Sequence, residues 1–161
     1  MKQPVKLRDI IDGLDMQSED MQVLLNIKTG EIVSLTSDEI RLAEEEEPDE
    51  DIYDWQIEAR DAAIAILENE ENYISLPSQY DIHEYRIMER FCFSMDDERK
   101  KDALLRAISG KGAFGRFKDK IYDLGVHDDW YAYRDNELKK IGIEWCRDHD
   151  IEFIDNVESS R

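Results

Sequence analysis

Residues 22–36, QVLLNIKTGEIVSLT, decide the fold class. Val23, Leu25 and Ile27 alternate, Thr29-Gly30 supplies a turn, and Ile32, Val33 and Leu35 follow it. Successive strand side chains point to opposite faces, and glycine accepts the positive φ of a tight turn, so the pattern reads as a β-hairpin. Elsewhere the apolar residues recur at helical intervals. The chain is therefore expected to be an α+β protein, mostly helical, with four to five helices packed on a small antiparallel hairpin sheet.

Upstream, residues 5–15 read as a short opening helix with Val5, Leu7, Ile10, Ile11 and Leu14 on its apolar side. Downstream, Thr36 or Ser37 is placed to cap a helix beginning near Asp38. In DWQIEARDAAIAILENEE (54–71), Trp55, Ala59, Ala62, Ala63 and Ile66 share one helical face, and Ile57 and Ile64 lie on the other, so cover on two faces is expected. YISLP (73–77) reads as a short strand or an extended link, ended by Pro77. DIHEYRIMERFCFSM (81–95) opens with Asp81 and Glu84 at capping-box spacing, then repeats Tyr85, Met88, Cys92 and Met95 as a helical stripe.

ERKKDALLRAIS (98–109) and AFGRFKDKIYDL (113–124) are two further helices, stopped by Gly110 and Gly125, since glycine favours the position just past a helix end. A last helix runs from Asp128-Asp129 to about Asp148, and IEFI (151–154) is expected to return as an edge strand against the hairpin. One domain over residues 1–157 is expected, with an acidic linker at 38–54 and a frayed tail at 158–161.

Charge narrows the function classes. The 161 residues carry a formal −19, with 38% charged and 41% hydrophobic residues. That is too apolar for wholesale disorder. The net charge opposes unspecific attraction to nucleic acid or anionic membrane and favours a basic partner. Cys92 and Cys146 are the only cysteines, so there is no disulfide framework. Charges interrupt the N-terminal apolar run, and no stretch approaches about 20 apolar residues, so a cytoplasmic protein without a membrane span is expected.

Between Asp38 and Glu58 eleven acids face one base, Arg41. Glu44, Glu45, Glu46, Glu47, Asp49, Glu50 and Asp51 form the densest part, which reads as a solvated linker or as a docking strip for a basic partner. It lacks the D-x-D-x-D-G spacing of a calcium loop, so no calcium site is assigned.

The opposite sign gathers in residues 99–120. Eight bases there meet two acids, a local +6 that leaves −25 for the rest of the chain. Gly110-Lys111-Gly112 directly precedes a helix, and free N–H groups beside bases make a candidate phosphate or carboxylate site. Phe114, Phe117, Ile121 and Leu124 are read as the buried stripe of that helix, with Arg116 and Lys118 on opposite flanks. Either these bases pair with the chain's own acids, or they meet an external anion. The motif is neither a Walker loop nor a dinucleotide fingerprint, and no cofactor is expected.

In the last helix Trp130, Leu138, Ile141 and Trp145 share a face with Arg134 in its middle. An arginine there must stack on an aromatic ring, pair with a carboxylate, or line a cleft for an anionic ligand. His83, His127 and His149 form no catalytic signature, and Cys146 with His149 supplies at most half of a metal site, so no metal is assigned.

DIHEYRIMERF (81–91), GKGAFGRFKDKIYDLG (110–125) and WYAYRDNELKKIGIEW (130–145), in that order, resemble Uncharacterised Protein Family 0158, a group of small bacterial proteins. The resemblance covers nearly the whole chain. It implies a bacterial or phage origin and an intracellular protein, and it implies no activity. Gly115 stands where the family pattern places a base after Ala-Phe, which thins the basic patch. The expected function is a non-enzymatic binding or regulatory protein acting through another protein, with oligomeric state open. The alternative is a nucleic-acid or phosphate binder using Lys111, Gly112, Arg116, Lys118 and Arg134.

Overall fold

A computed structural model of the protein describes residues 4–44 and 53–157. The chain runs β1 (Val5–Lys6), α1 (Leu7–Met16), β2 (Met21–Asn26), β3 (Ile32–Thr36), α2 (Ser37–Glu44) and α3 (Asp54–Glu68). It continues through β4 (Tyr73–Ser75), α4 (Gln79–Ile82), α5 (Glu84–Phe93), α6 (Glu98–Ala107), α7 (Ala113–Asp123), α8 (His127–Asp148) and β5 (Phe153–Ile154). The fold is α+β and mostly helical, as the apolar spacing predicts.

Two compact units divide these elements: the chain up to Gln79 together with Gly142–Val157, and the continuous stretch Tyr80–Ile141. Helix α8 contributes residues to both.

The first unit is built on an antiparallel sheet of order β3-β2-β4. The hairpin forms as read, with Leu25 opposite Ile32 and Gly30 at φ 77 in its turn. Leu24, between the alternating Val23 and Leu25, is also buried. The sheet is covered on both sides, so its central strand has no solvent face. On one side Leu24, Leu35 and Ala63 form a cluster with Val33, Ile40 and Ile66 packed around it. On the other lies α1, whose Leu7, Ile10, Ile11 and Leu14 are all buried.

Two glycines set how closely α1 is approached. A Cβ on Gly13 would stand 2.8 Å from Leu76 Cδ2 and 3.1 Å from Val23 Cγ1. A Cβ on Gly142 of α8 would stand 3.2 Å from Ile10 Cγ2 and 3.4 Å from Leu7 Cδ1. Gln17 adds a polar tie: its Nε2 donates to Leu76 O (3.0 Å) and Pro77 O (3.1 Å), and its Oε1 accepts from Val23 N (3.1 Å).

Several expectations change on this frame. The closing strand does not join the hairpin: β5 pairs in parallel with β1, Val5 opposite Phe153. Val5, at the head of the opening segment, is strand rather than helix, and its amide donates to Glu152 O at 3.1 Å. The cap of α2 is Thr36, whose Oγ1 accepts from Glu39 N at 3.1 Å. Helix α3 is not covered on two faces. Only Ala63 is fully buried, while Trp55, Ile57 and Leu67 are exposed.

In the second unit Phe91, Phe117 and Trp130 meet edge to face, with Phe117 and Trp130 centroids 4.8 Å apart. Ile87, Met88, Phe91 and Cys92 are the buried side of α5, so Tyr85 and Met95 of the expected stripe lie off it. Asp81 and Glu84 do not form a box at α5. Its N-cap is His83 at φ 54, without a side-chain hydrogen bond, and Asp81 belongs to α4.

Each unit buries one thiol, Cys146 in the first and Cys92 in the second. Burial pushes both from their ordinary 9.0 up to about 11. The folded state therefore holds these protons more tightly than the unfolded chain does. Their contribution is complete below pH 9 and falls as pH rises from 9 toward 11. Urea midpoints across that range are expected to drop more for the parent than for a Cys92→Ala, Cys146→Ala variant; parallel curves refute the assignment.

Gly13→Ala is expected to lower stability by about 1–3 kcal/mol through overpacking. An unshifted urea midpoint would show that Leu76 and Val23 yield without cost.

Candidate functional site

The basic segment becomes a corner between α6 and α7. Asp97 caps α6, its Oδ1 accepting from Arg99 N (2.9 Å) and Lys100 N (3.3 Å). At the other end the chain turns through Gly110 and Gly112, both at φ 77, before α7 begins. Arg116 reaches back across this turn. Its Nε donates to Ala107 O (2.9 Å), its Nη2 to Ser109 O (2.5 Å) and Gly110 O (3.4 Å), and its Nη1 to Lys111 O. A guanidinium suits this place because the last helical carbonyls lack partners and carry the negative end of the helix dipole. Gly112 supplies the positive φ, and a Cβ there would lie 3.0 Å from Arg116 Nη1.

Arg116 is thus engaged, but by carbonyls rather than carboxylates, and its charge is not cancelled. The same holds along the segment. Among the described residues, none of the eight bases from Arg99 to Lys120 forms an ion pair. Intramolecular pairing, one of the two outcomes open from the sequence, is not found there.

The two flanks of α7 differ. Arg116 and Lys120 join Arg106 of α6 along an open groove of about 510 Å3, which Asp119 and Asp123 also line. The other flank carries Phe114, Lys118 and Tyr122. The expected stripe is corrected here: Ala113, Phe117 and Ile121 are the buried row, and Phe114 is 50% exposed. Spacing by four puts Ala113, Phe117 and Ile121 on one face, with Phe117 in the aromatic cluster, and leaves Phe114 about 100° from Ala113. Tyr122, 56% exposed, stacks on His127 with centroids 4.3 Å apart and planes 17° from parallel. Its hydroxyl lies 3.4 Å from that of Tyr131, and this hydrogen bond raises its pKa. Gly115 sits within α7, exposed, with nothing within 4 Å of a Cβ built there. A helical glycine costs about 1 kcal/mol relative to alanine, and neither packing nor a positive φ accounts for it here.

Lys111 and Lys118 are exposed and Gly112 begins α7, so four of the five expected ligand residues share this corner. Arg134 does not. Its Nε donates to Glu84 Oε1 at 2.6 Å, a carboxylate on another helix. Nearby, Glu137, only 13% exposed, takes Arg90 at 3.3 Å and Lys140 at 3.1 Å.

Of the acidic strip, Glu44 ends α2 and is exposed; Glu45, Glu46, Glu47, Asp49, Glu50 and Asp51 lie outside the described residues. Just beyond them stands a feature that apolar spacing hides. Tyr53 and Trp55 are 68% and 66% exposed, with rings stacked 6.5 Å apart at 7°. At about 100° per residue Trp55 falls about 80° from Ala63, the centre of the buried face. Ala63 and Ile66 are where α3 meets the sheet cluster, and the tryptophan lies off that contact.

Among the described residues no group of three or more His, Cys, Asp or Glu side chains is placed to hold a metal ion. No helix among them is long and apolar enough to cross a membrane.

These features define a mostly helical α+β protein with an unpaired basic corner and an exposed aromatic pair beside an acidic segment. A family model described as Uncharacterised protein family (UPF0158) matches residues 3–160, and the chain belongs to that family. No curated protein and no solved structure matches it.

Arg116→Ala is expected to cost about 1–2 kcal/mol by leaving the carbonyls of the turn unbonded. Arg116→Lys should recover less than half, because an ammonium cannot span the fork of acceptors. Full recovery by lysine in urea unfolding would refute the fork.

Proposed function

We propose that this protein is a non-enzymatic binding protein that works through protein contacts and engages a basic partner by the start of α3. The observation that carries this reading is the exposed Tyr53–Trp55 stack. Two large rings held in water form an exposed apolar patch of the kind that marks interaction sites. Aromatic residues supply much of the energy at such sites, and the adjacent acids of α3 (Asp54, Glu58) favour a cationic surface.

The test is affinity capture from native cells with and without nuclease, comparing the parent with a Tyr53→Ala, Trp55→Ala variant. A protein partner that survives nuclease and is lost with the variant supports the reading; equal recovery by both refutes it. With that partner in hand, replacing Glu44 to Glu47 with Gln is expected to slow association at low salt. An unchanged rate would remove the acidic strip from the surface.

A second reading, binding of nucleic acid or a phosphate ligand through residues 99–120, is favoured by one observation. The bases of that segment are without ion pairs among the described residues, so their charge is available to an outside anion.

A further inference from the structure

Phe114, Lys118 and Tyr122 form an i, i+4, i+8 row on α7, and about 12 Å separates the two aromatic positions along the helix. Both rings are half-exposed or more, and an unpaired ammonium lies between them. Tyr122 is held in place: His127 covers one face of its ring, and Tyr131 takes its hydroxyl. Its outer face is therefore a preset stacking surface. Gly115 leaves bare backbone beside the row, with open space where any side chain would stand.

We infer that this flank of α7 is a stacking platform for single-stranded nucleic acid, with bases on Phe114 and Tyr122 and phosphates on Lys118 and Lys111. The inference rests on the second reading above and specifies its ligand. Charge chooses the class of ligand: a +6 segment without ion pairs matches a polyanion. The rings choose the strand. A duplex hides its base faces, whereas single strands offer them to aromatic side chains. The chain's overall −19 acts against long-range attraction, but charges beyond about 8 Å are largely screened at physiological salt.

Fluorescence anisotropy with labelled 20-nucleotide oligo(dT), and with a matched 20-base-pair duplex, tests this on the full chain at 50 mM and 200 mM salt. Oligo(dT) is expected to bind in preference to duplex. Phe114→Ala and Tyr122→Ala should each weaken binding about 5- to 100-fold. Lys118→Gln should reduce the salt slope by about 0.7. Gly115→Glu, for which the helix has room, should abolish binding without lowering the thermal midpoint, keeping the test independent of folding.

If Lys118→Gln weakens binding while the two aromatic variants bind like the parent, the platform is overturned and the basic-segment reading survives. If neither oligonucleotide binds at 50 mM salt, the platform falls and the second reading keeps only its phosphate ligand. Equal displacement of oligo(dT) by poly-glutamate would assign the surface to an acidic protein and overturn the platform.

Discussion

The close fit around α1 governs the first unit. Leu7, Ile10, Ile11 and Leu14 cannot all be buried unless other elements approach the helix at backbone distance, and Gly13 and Gly142 are where they do. Gly13 sets the sheet against the helix through Val23 and Leu76. Gly142 brings the end of α8 onto Leu7 and Ile10. With that geometry set, the outer face of the sheet takes α2 and α3 through Leu24, Leu35 and Ala63. Helix α3 docks there through Ala63 and Ile66, and Tyr53 and Trp55 at its start lie off that contact and are exposed.

The second unit shows the same economy of contact with opposite charge. One guanidinium gathers the carbonyls between α6 and α7, which fixes the corner without using any of the chain's many acids. A carboxylate in that role would add a charge where helix α6 already ends in negative dipole. The outcome is a positive segment inside an acidic protein, shaped by hydrogen bonding and left electrostatically open. Two of the protein's acids, Glu84 and Glu137, are committed to Arg134, Arg90 and Lys140.

Much of this was legible in the sequence. Strand alternation and the Thr29-Gly30 turn located the hairpin, Thr36 was placed to cap, and glycines at 110 and 125 marked helix ends, each a local signal with a local cause. What failed was nonlocal. The partner of β5 depends on where the chain ends meet, and alternation within IEFI carries no information about that. The faces of α3 and α7 differ from their apolar spacing for another reason: spacing puts Trp55 on one face with Ala63 and Phe114 in place of Ala113, whereas the buried positions are Ala63 and Ala113. Arg116 was singled out by its charge, yet its role in the corner depends on carbonyls, which every sequence has and none displays.

The pairing of Val5 with Phe153 has a consequence for the order in which the molecule is made. The first unit is assembled from both ends of the chain, while Tyr80–Ile141 forms one uninterrupted stretch. As synthesis proceeds from the N-terminus, α1 meets Val23 and Leu76 early, but its contact with Gly142 and the pairing of β1 with β5 wait for residues 142–154. The intervening stretch has all its own elements in hand sooner. The nascent chain thus completes its middle before its beginning, and until the last turns of α8 leave the ribosome, Leu7 and Ile10 remain a hydrophobic surface in need of cover.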